Sequence, residues 1–382
     1  MEENINKTWE CPKCHSTGNT GRFCTKCGTE KTIVENIEKK EVKKSKAAKV
    51  IETIIAIAMI IFFSISLVLV LCPMMTIYDS AKGISDRINF YYFFYTVWAN
   101  LKISNNTIDV IRAIVSTIAF IAGVGGVYFF AISGLVDSIK VVKTHKDPKY
   151  TKSMMGVIGA MFSYYSIIVM LYTEYYSSDG YYVSNSDGSA IALFIMLMIG
   201  LLVALMARSL VFAIIDKKPF KIASTIIKFV SIIFIISAVT VSAHLGMTYA
   251  NNSTSNYFKE TLTFFNWAAS FLGAGSIAPG ITTLIGAITT ALALASGIGS
   301  LCFSYGSLID DKRDKKASIL SIVFCGLLFI TIAMSTATFF LVDVATSYKF
   351  VPYEIPTAII LSLLGIIGIV VASSLEKEKK VN

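Results

Sequence analysis

Long apolar stretches alternate with short polar ones along the whole chain. Eight of them are long enough to cross a hydrocarbon layer of roughly 30 Å, which takes about 20 helical residues. They run over about 50–72, 110–136, 153–172, 189–215, 222–245, 277–308, 318–341 and 357–375. The sixth exceeds what one crossing needs, which predicts a tilt or a break near Pro279–Gly280. Every intervening segment carries polar or turn residues, so none has to be buried in lipid. The pattern predicts an all-α polytopic membrane protein with eight transmembrane helices.

Composition points the same way. Of 382 residues, 54% are hydrophobic and only 15% charged, with a mean hydropathy of +0.66. Soluble domains run at about 45–50% apolar and about 25% charged. An ordinary cytosolic globule is excluded, and so is disorder outside the charged ends.

The charges assign sides, because cytoplasmic loops retain Lys and Arg. With the N-terminus inside, segments 1–49, 137–152, 216–221, 309–316 and 376–382 hold 26 of the 34 basic residues, against 5 in loops 73–109, 173–188, 246–276 and 342–356. The expectation is a multi-pass protein of the plasma membrane with both termini cytoplasmic. The net charge of +9 is then a topological signal, and no nucleic-acid partner is expected. The run KKEVKKSKAAK at 39–49 stands just before the first span, where anionic head groups attract each charge by about 1 kcal/mol. The first span itself is expected to serve as the targeting signal.

Cys11, Cys14, Cys24 and Cys27 form C-x2-C-x9-C-x2-C inside WECPKCHSTGNTGRFCTKCGTE. Two Cys-x-x-Cys pairs suit a tetrahedral ion, because each makes a tight knuckle whose amides turn toward the thiolates. Gly28 follows the last pair, where positive φ is needed. Disulfides are the bland alternative, but the expected compartment is reducing. A rubredoxin-like iron site would use the same four sulfurs. With Cys11-Pro-Lys-Cys14 as opening and Phe23-Cys-Thr-Lys-Cys27-Gly28 as closing, residues 9–30 resemble the short zinc-ribbon domains at the ends of many bacterial membrane and regulatory proteins. His15 departs from them, standing where the family usually has Gly. The resemblance implies a structural Zn2+ with its coordination filled by the four cysteines. It also implies a cytoplasmic knob able to dock a partner, with Trp9 and Phe23 as candidate contacts. The domains expected are the ribbon 1–30, a charged tether 31–49, membrane repeats 50–215 and 216–375, and a tail 376–382.

Those two repeats come from self-similarity. At a shift of 172, Lys49, Thr53, Ile60–Ile61–Phe62 and Met75–Thr76 fall on Lys221, Thr225, Ile232–Ile233–Phe234 and Met247–Thr248. At 173, Gly126, Phe130 and Asp137 meet Gly299, Phe303 and Asp310; at 165, Ser153, Gly200 and Ser209 meet Ser318, Gly365 and Ser374. An even number of spans per repeat makes the repeats parallel, related by an axis along the membrane normal with a cleft between two four-helix bundles.

Within the membrane, small residues mark close helix packing: Gly123 and Gly126 in the second span, and Ala287, Ala291, Ala295 and Gly299 in the sixth. The alternative is a passage lined by these spans and by Thr282, Thr283, Thr289, Thr290, Ser296 and Ser300. Ionisable residues inside a bilayer suggest function, and Arg208 and His244 are the candidates. Arg208 lies shallow enough to snorkel to the inner surface. Trp98 and Trp267, each in an aromatic stretch of an outer loop, are expected at the interface. No nucleotide, metalloprotease or nucleophile-elbow motif occurs, so an enzyme is not expected. Two functions remain. One is a membrane accessory or regulatory protein that binds lipid and docks a cytosolic or membrane protein through its ribbon. The other is a permease for a neutral or lipid-like solute moving through the cleft.

Overall fold

The computed structural model describes residues 14, 16–19, 23–28, 46–72, 75–79, 84–88, 107–144, 150–172, 174–177, 183–186, 188–215, 217–251, 258–309, 314–345 and 350–377. The chain divides into two units, Met1–Lys49 and Val50–Asn382.

Eight helices are long and apolar enough to cross a membrane. They are α1 (Lys46–Leu69), α2 (Thr107–Thr144), α3 (Thr151–Tyr172), α4 (Gly188–Ile215), α5 (Pro219–Ser242), α7 (Ile277–Ile309), α8 (Asp314–Ala345) and α9 (Ile355–Lys377), with a short α6 (Phe264–Gly273) before α7. The all-α membrane architecture read from hydropathy is therefore present, each span within a few residues of its expected place except α2, which runs on to Thr144. Apolar side chains also coat the outside: Phe129 is 70% exposed, and Ile118 and Ile121 stand beside it on α2. Water would not tolerate such a surface, and lipid would.

The expected break near Pro279 does not occur. The helix α7 instead begins two residues earlier, after a turn in which Gly275 takes φ +77°. Proline is tolerated there because first-turn amides have no intrahelical acceptor. At 33 residues, the helix is about 50 Å long, long enough to tilt.

All four loops between spans 1–2, 3–4, 5–6 and 7–8 meet in one seven-stranded sheet, which hydropathy did not foretell. Its strands are β1 (Met75–Asp79), β2 (Ile84–Ile88), β3 (Glu174–Ser177), β4 (Val183–Ser186), β5 (Gly246–Asn251), β6 (Phe258–Thr263) and β7 (Phe350–Tyr353). Their order is β2-β1-β4-β3-β6-β5-β7, antiparallel throughout. Hydrogen-bonded neighbours must lie on one side, so these four loops share a face of the bundle.

The pairing has an internal rhythm. Met75 faces Ile88 on one side and Ser186 on the other, while Met247 faces Leu262 and Pro352. The trio β2-β1-β4 is thus matched by β6-β5-β7, in the same order and with strands pointing the same way. Such trios are related by a step along the sheet. A twofold axis between the trios would have reversed their order.

Helix packing is equally direct. A Cβ on Gly123 would lie 2.6 Å from Tyr164 Cβ, and one on Gly126 3.2 Å from Ala160 Cβ. These two glycines let α2 lie against α3. Phe63 of α1 occupies the space at Gly134 of α2. Between the halves, α7 lies on α3 and α4: Tyr305 donates its hydroxyl to Met198 O at 2.9 Å, and Cys302 Sγ lies 3.3 Å from Met155 O. Among the described residues one hydrophobic core cluster runs through both halves, so the two are in direct contact at Tyr305 and Cys302.

Candidate functional site

In the N-terminal unit, the described residues fold around sulfur. Sγ atoms of Cys14, Cys24 and Cys27 lie within 4.8 Å of one another, and Cys14 and Cys24 stand 3.5 Å apart. Four thiolates each about 2.3 Å from one zinc would stand ~3.8 Å apart, so a single ion could reach all three. Cys11 lies outside the described residues, as do His15 and Trp9.

The knuckle is built by its backbone. Gly28 takes φ +69° and donates its amide to Cys24 O at 2.9 Å. Buried Asn19 ties the two strands of the loop: its Nδ2 donates to Ser16 O at 2.8 Å, and its Oδ1 accepts from Thr25 N at 3.0 Å. That places Ser16 Oγ 3.1 Å from Cys24 Sγ. The Ser16 hydroxyl, then the amides of Cys27 and Lys26, pull the Cys24 thiol down to about 6 against the burial that opposes them. The donor set is soft, and one of its members is favoured as thiolate near neutrality, as an ion such as zinc requires.

The membrane unit contains a second polar assembly. Arg208 does not reach out to water. Its Nη2 bonds Glu52 Oε1 at 2.7 Å, with the side chains only 11% and 4% exposed. Nη1 donates to Ile309 O at 3.1 Å and Leu308 O at 3.4 Å, the open carbonyls at the end of α7. The guanidinium also lies 5.1 Å from the centre of the Phe212 ring. Snorkelling was expected on depth alone; a carboxylate on α1 and a helix C-terminus capture the charge first. Among the described residues, Glu52 Oε2, Arg208 Nε and the fully buried Tyr150 hydroxyl have no hydrogen-bond partner, so polar atoms with unmet bonds gather around the pair. Glu52, three residues past Lys49 at the start of the first apolar stretch, has no place in the sequence reading above.

Other expected residues fall as follows. Ala287 is buried and Gly299 half-buried, but Ala291 and Ala295 are exposed; the buried stripe of α7 runs through Gly286, Ala293, Gly297 and Ser300. The six hydroxyls proposed for a passage are all engaged. Thr282, Thr283, Thr290 and Ser296 donate to carbonyls of their own helix, Thr289 also meets Ser335 Oγ at 3.0 Å, and Ser300 donates to Ser321 O at 3.0 Å.

His244 is half-buried, its Nδ1 3.3 Å from Thr240 O. It borders an apolar crevice between the halves with Phe162, Tyr165, Ser166 and Phe194. Trp267 is not at a lipid interface. It is buried, donates Nε1–H to Met247 O at 2.8 Å, and stacks on Phe271 with Phe350 edge-on. The ring thereby joins α6 to strands β5 and β7. Trp98 lies outside the described residues.

Lys228 also carries a charge within a span, in α5. It is 4% exposed and shares a small cavity with Ser304, Ser307, Ser318 and Ser321. Comparison with protein families, with curated proteins and with solved structures finds no match to this chain.

Proposed function

We propose that the chain is an integral membrane accessory or regulatory protein. Its N-terminal knuckle, held by a structural zinc on Cys11, Cys14, Cys24 and Cys27, docks a cytosolic or membrane protein. The observation that carries this reading is the gathering of three thiols in a unit of their own, apart from the unit that holds the spans. An ion whose ligands are all sulfur has no open position for chemistry. Its contribution is to fold about 20 residues that are too few to build a core. The charge asymmetry of the loops supports placing both termini in the cytoplasm of a cell with this protein in its plasma membrane, and the shared sheet supports putting the four basic-poor loops on one outer face.

We also infer that residues 50–215 and 216–375 are parallel copies. The repeated strand order and register support this, and so does a matched helix contact. Where Arg208 of α4 meets Glu52 of α1, the shifted positions are Ser373 and Ser224, and Ser224 donates to Ala372 O at 3.0 Å.

A permease for a neutral or lipid-like solute is the second reading, favoured by the apolar crevice beside His244. The filled contact between α7 and the first half weighs for the accessory role. The test is crosslinking in native membranes, comparing the natural chain with a Cys24→Ser, Cys27→Ser form. A partner adduct that disappears from the double variant, together with its zinc, is the expected result. An adduct pattern unchanged after the zinc is lost would remove the docking role.

A further inference from the structure

Cys14 and Cys24 belong to different Cys-x-x-Cys pairs of the head, yet their sulfurs stand 3.5 Å apart. That is closer than the ~3.8 Å that a shared zinc alone would set. Both sulfurs touch one hydroxyl. Cys14 Sγ donates to Ser16 Oγ at 3.4 Å, and the same oxygen lies 3.1 Å from Cys24 Sγ. Buried Asn19 also donates to Ser16 Oγ, from Nδ2 at 3.3 Å. With both lone pairs of the hydroxyl taken, its own proton is directed at Cys24. The chain's side chains therefore hold these two sulfurs together across the knuckles. Cys24 is buried and Cys14 half-buried, so a small oxidant in water meets Cys14 before Cys24.

We propose that Cys14 and Cys24 are a reversible thiol pair that hydrogen peroxide joins into a disulfide. The Cys14 thiolate attacks one oxygen of the peroxide. The O–O bond breaks, hydroxide leaves, and Cys14 becomes a sulfenic acid. The Cys24 thiolate then attacks Cys14 Sγ; the S–S bond forms, the S–O bond breaks, and a second hydroxide leaves. The two sulfurs lose two electrons and the peroxide gains two. The two thiol protons convert both hydroxides to water. Because the resolving sulfur is already in place, the sulfenic acid is intercepted before it climbs to irreversible acids. In a reducing compartment such a bond is transient, which is what a sensor of oxidant requires.

The consequence for docking rests on the zinc reading above; the pairing of the two sulfurs does not. A disulfide withdraws two of the four sulfurs, and the thiolates that remain are too few to close a structural site. About 20 residues then lose what folds them. Peroxide thus turns the docking surface off, and a thiol reductant restores it.

Lys13, Arg22 and Lys26 place the four cysteines in four separate tryptic peptides, so the bond can be read directly. Full-length protein in lipid nanodiscs is treated with hydrogen peroxide, capped with N-ethylmaleimide and digested without reduction. Mass spectrometry should find 14–22 joined to 23–26 as the principal link, removed by dithiothreitol. Metal analysis should find the zinc released as that link forms. Cys24→His keeps a ligand for the ion but has no sulfur to pair, and it should retain zinc at peroxide levels that empty the natural chain. Should that variant not hold zinc, the peptide map of the natural chain decides the matter. A principal link through Cys11 or Cys27, or sulfinic and sulfonic products without a link, would overturn the proposal. A Cys14–Cys24 link in natural protein that carries no zinc would uphold the pair and remove the zinc reading instead. Zinc that stays bound while the link forms would overturn the effect on docking.

Discussion

At the scale of single residues, the chemistry is set by what each polar atom meets. Ser16 is the first cause of the acidic Cys24 thiol, whose usual value of 9.0 falls to about 6. Above about pH 6 the group is therefore mostly thiolate, and below it mostly thiol. Ser16→Ala should therefore raise the pH at which the metal-loaded protein gives up half its zinc, since a less acidic thiol is protonated sooner as pH falls. A release midpoint that stays put, read by metal analysis after dialysis at stepped pH, would show that the hydroxyl is not the cause. In the membrane unit, Glu52 and Arg208 are a buried pair, and removing one partner strands the other charge at a cost of about 3–5 kcal/mol. Glu52→Leu and Arg208→Leu should each lower thermal stability sharply, while the double change is milder than either alone. Simple additivity of the two losses, in melting curves of detergent-solubilised protein, would argue against direct pairing. Arg208 was visible in the sequence as an ionisable residue inside a span. Its partner was not, since 156 positions separate them and only the folded chain reveals which charge is whose.

At the scale of elements, the helices were legible and the strands were not. A span announces itself through about 20 successive apolar residues, whatever its neighbours do. The strands here are four to six residues long, too short to carry a period, and their pairing partners lie in other loops. Met75–Thr76 and Met247–Thr248 were seen as repeats, yet nothing local said that they were strands. Trp267 misled for the same reason: aromatic residues in an outer loop suit an interface, but β5 supplied a carbonyl for the indole and α6 a ring to stack on. The sheet makes a specific demand. Cysteines at Thr76 and Asn185, or at Thr248 and Val351, stand opposite each other and should crosslink on mild oxidation, while Thr76 with Val351 should not. Between helices, Gly134 is where α2 admits the Phe63 ring. Gly134→Val should cost about 1–3 kcal/mol through overpacking, and Phe63→Ala in the same chain should recover part of the lost melting temperature.

At the scale of the molecule, the proposed sidedness rests on charge and the common face on strand pairing. Cysteines introduced at Lys146 or Lys315 should resist a membrane-impermeant maleimide in intact cells, while one at Ser178 should react. Labelling of either inner position from outside would reverse or break the threading.

Beyond this lies what a stepwise sheet implies about number. Units that add side by side in one sense have no geometric reason to halt, unlike pairs that face each other and close. The last strand of this array carries Pro352, whose nitrogen has no proton to give, and the first ends its trio with Asp86 and Arg87. Charge at one border and a missing donor at the other make poor templates for a newcomer. Extension of the sheet by a strand of another copy is thus discouraged at both borders.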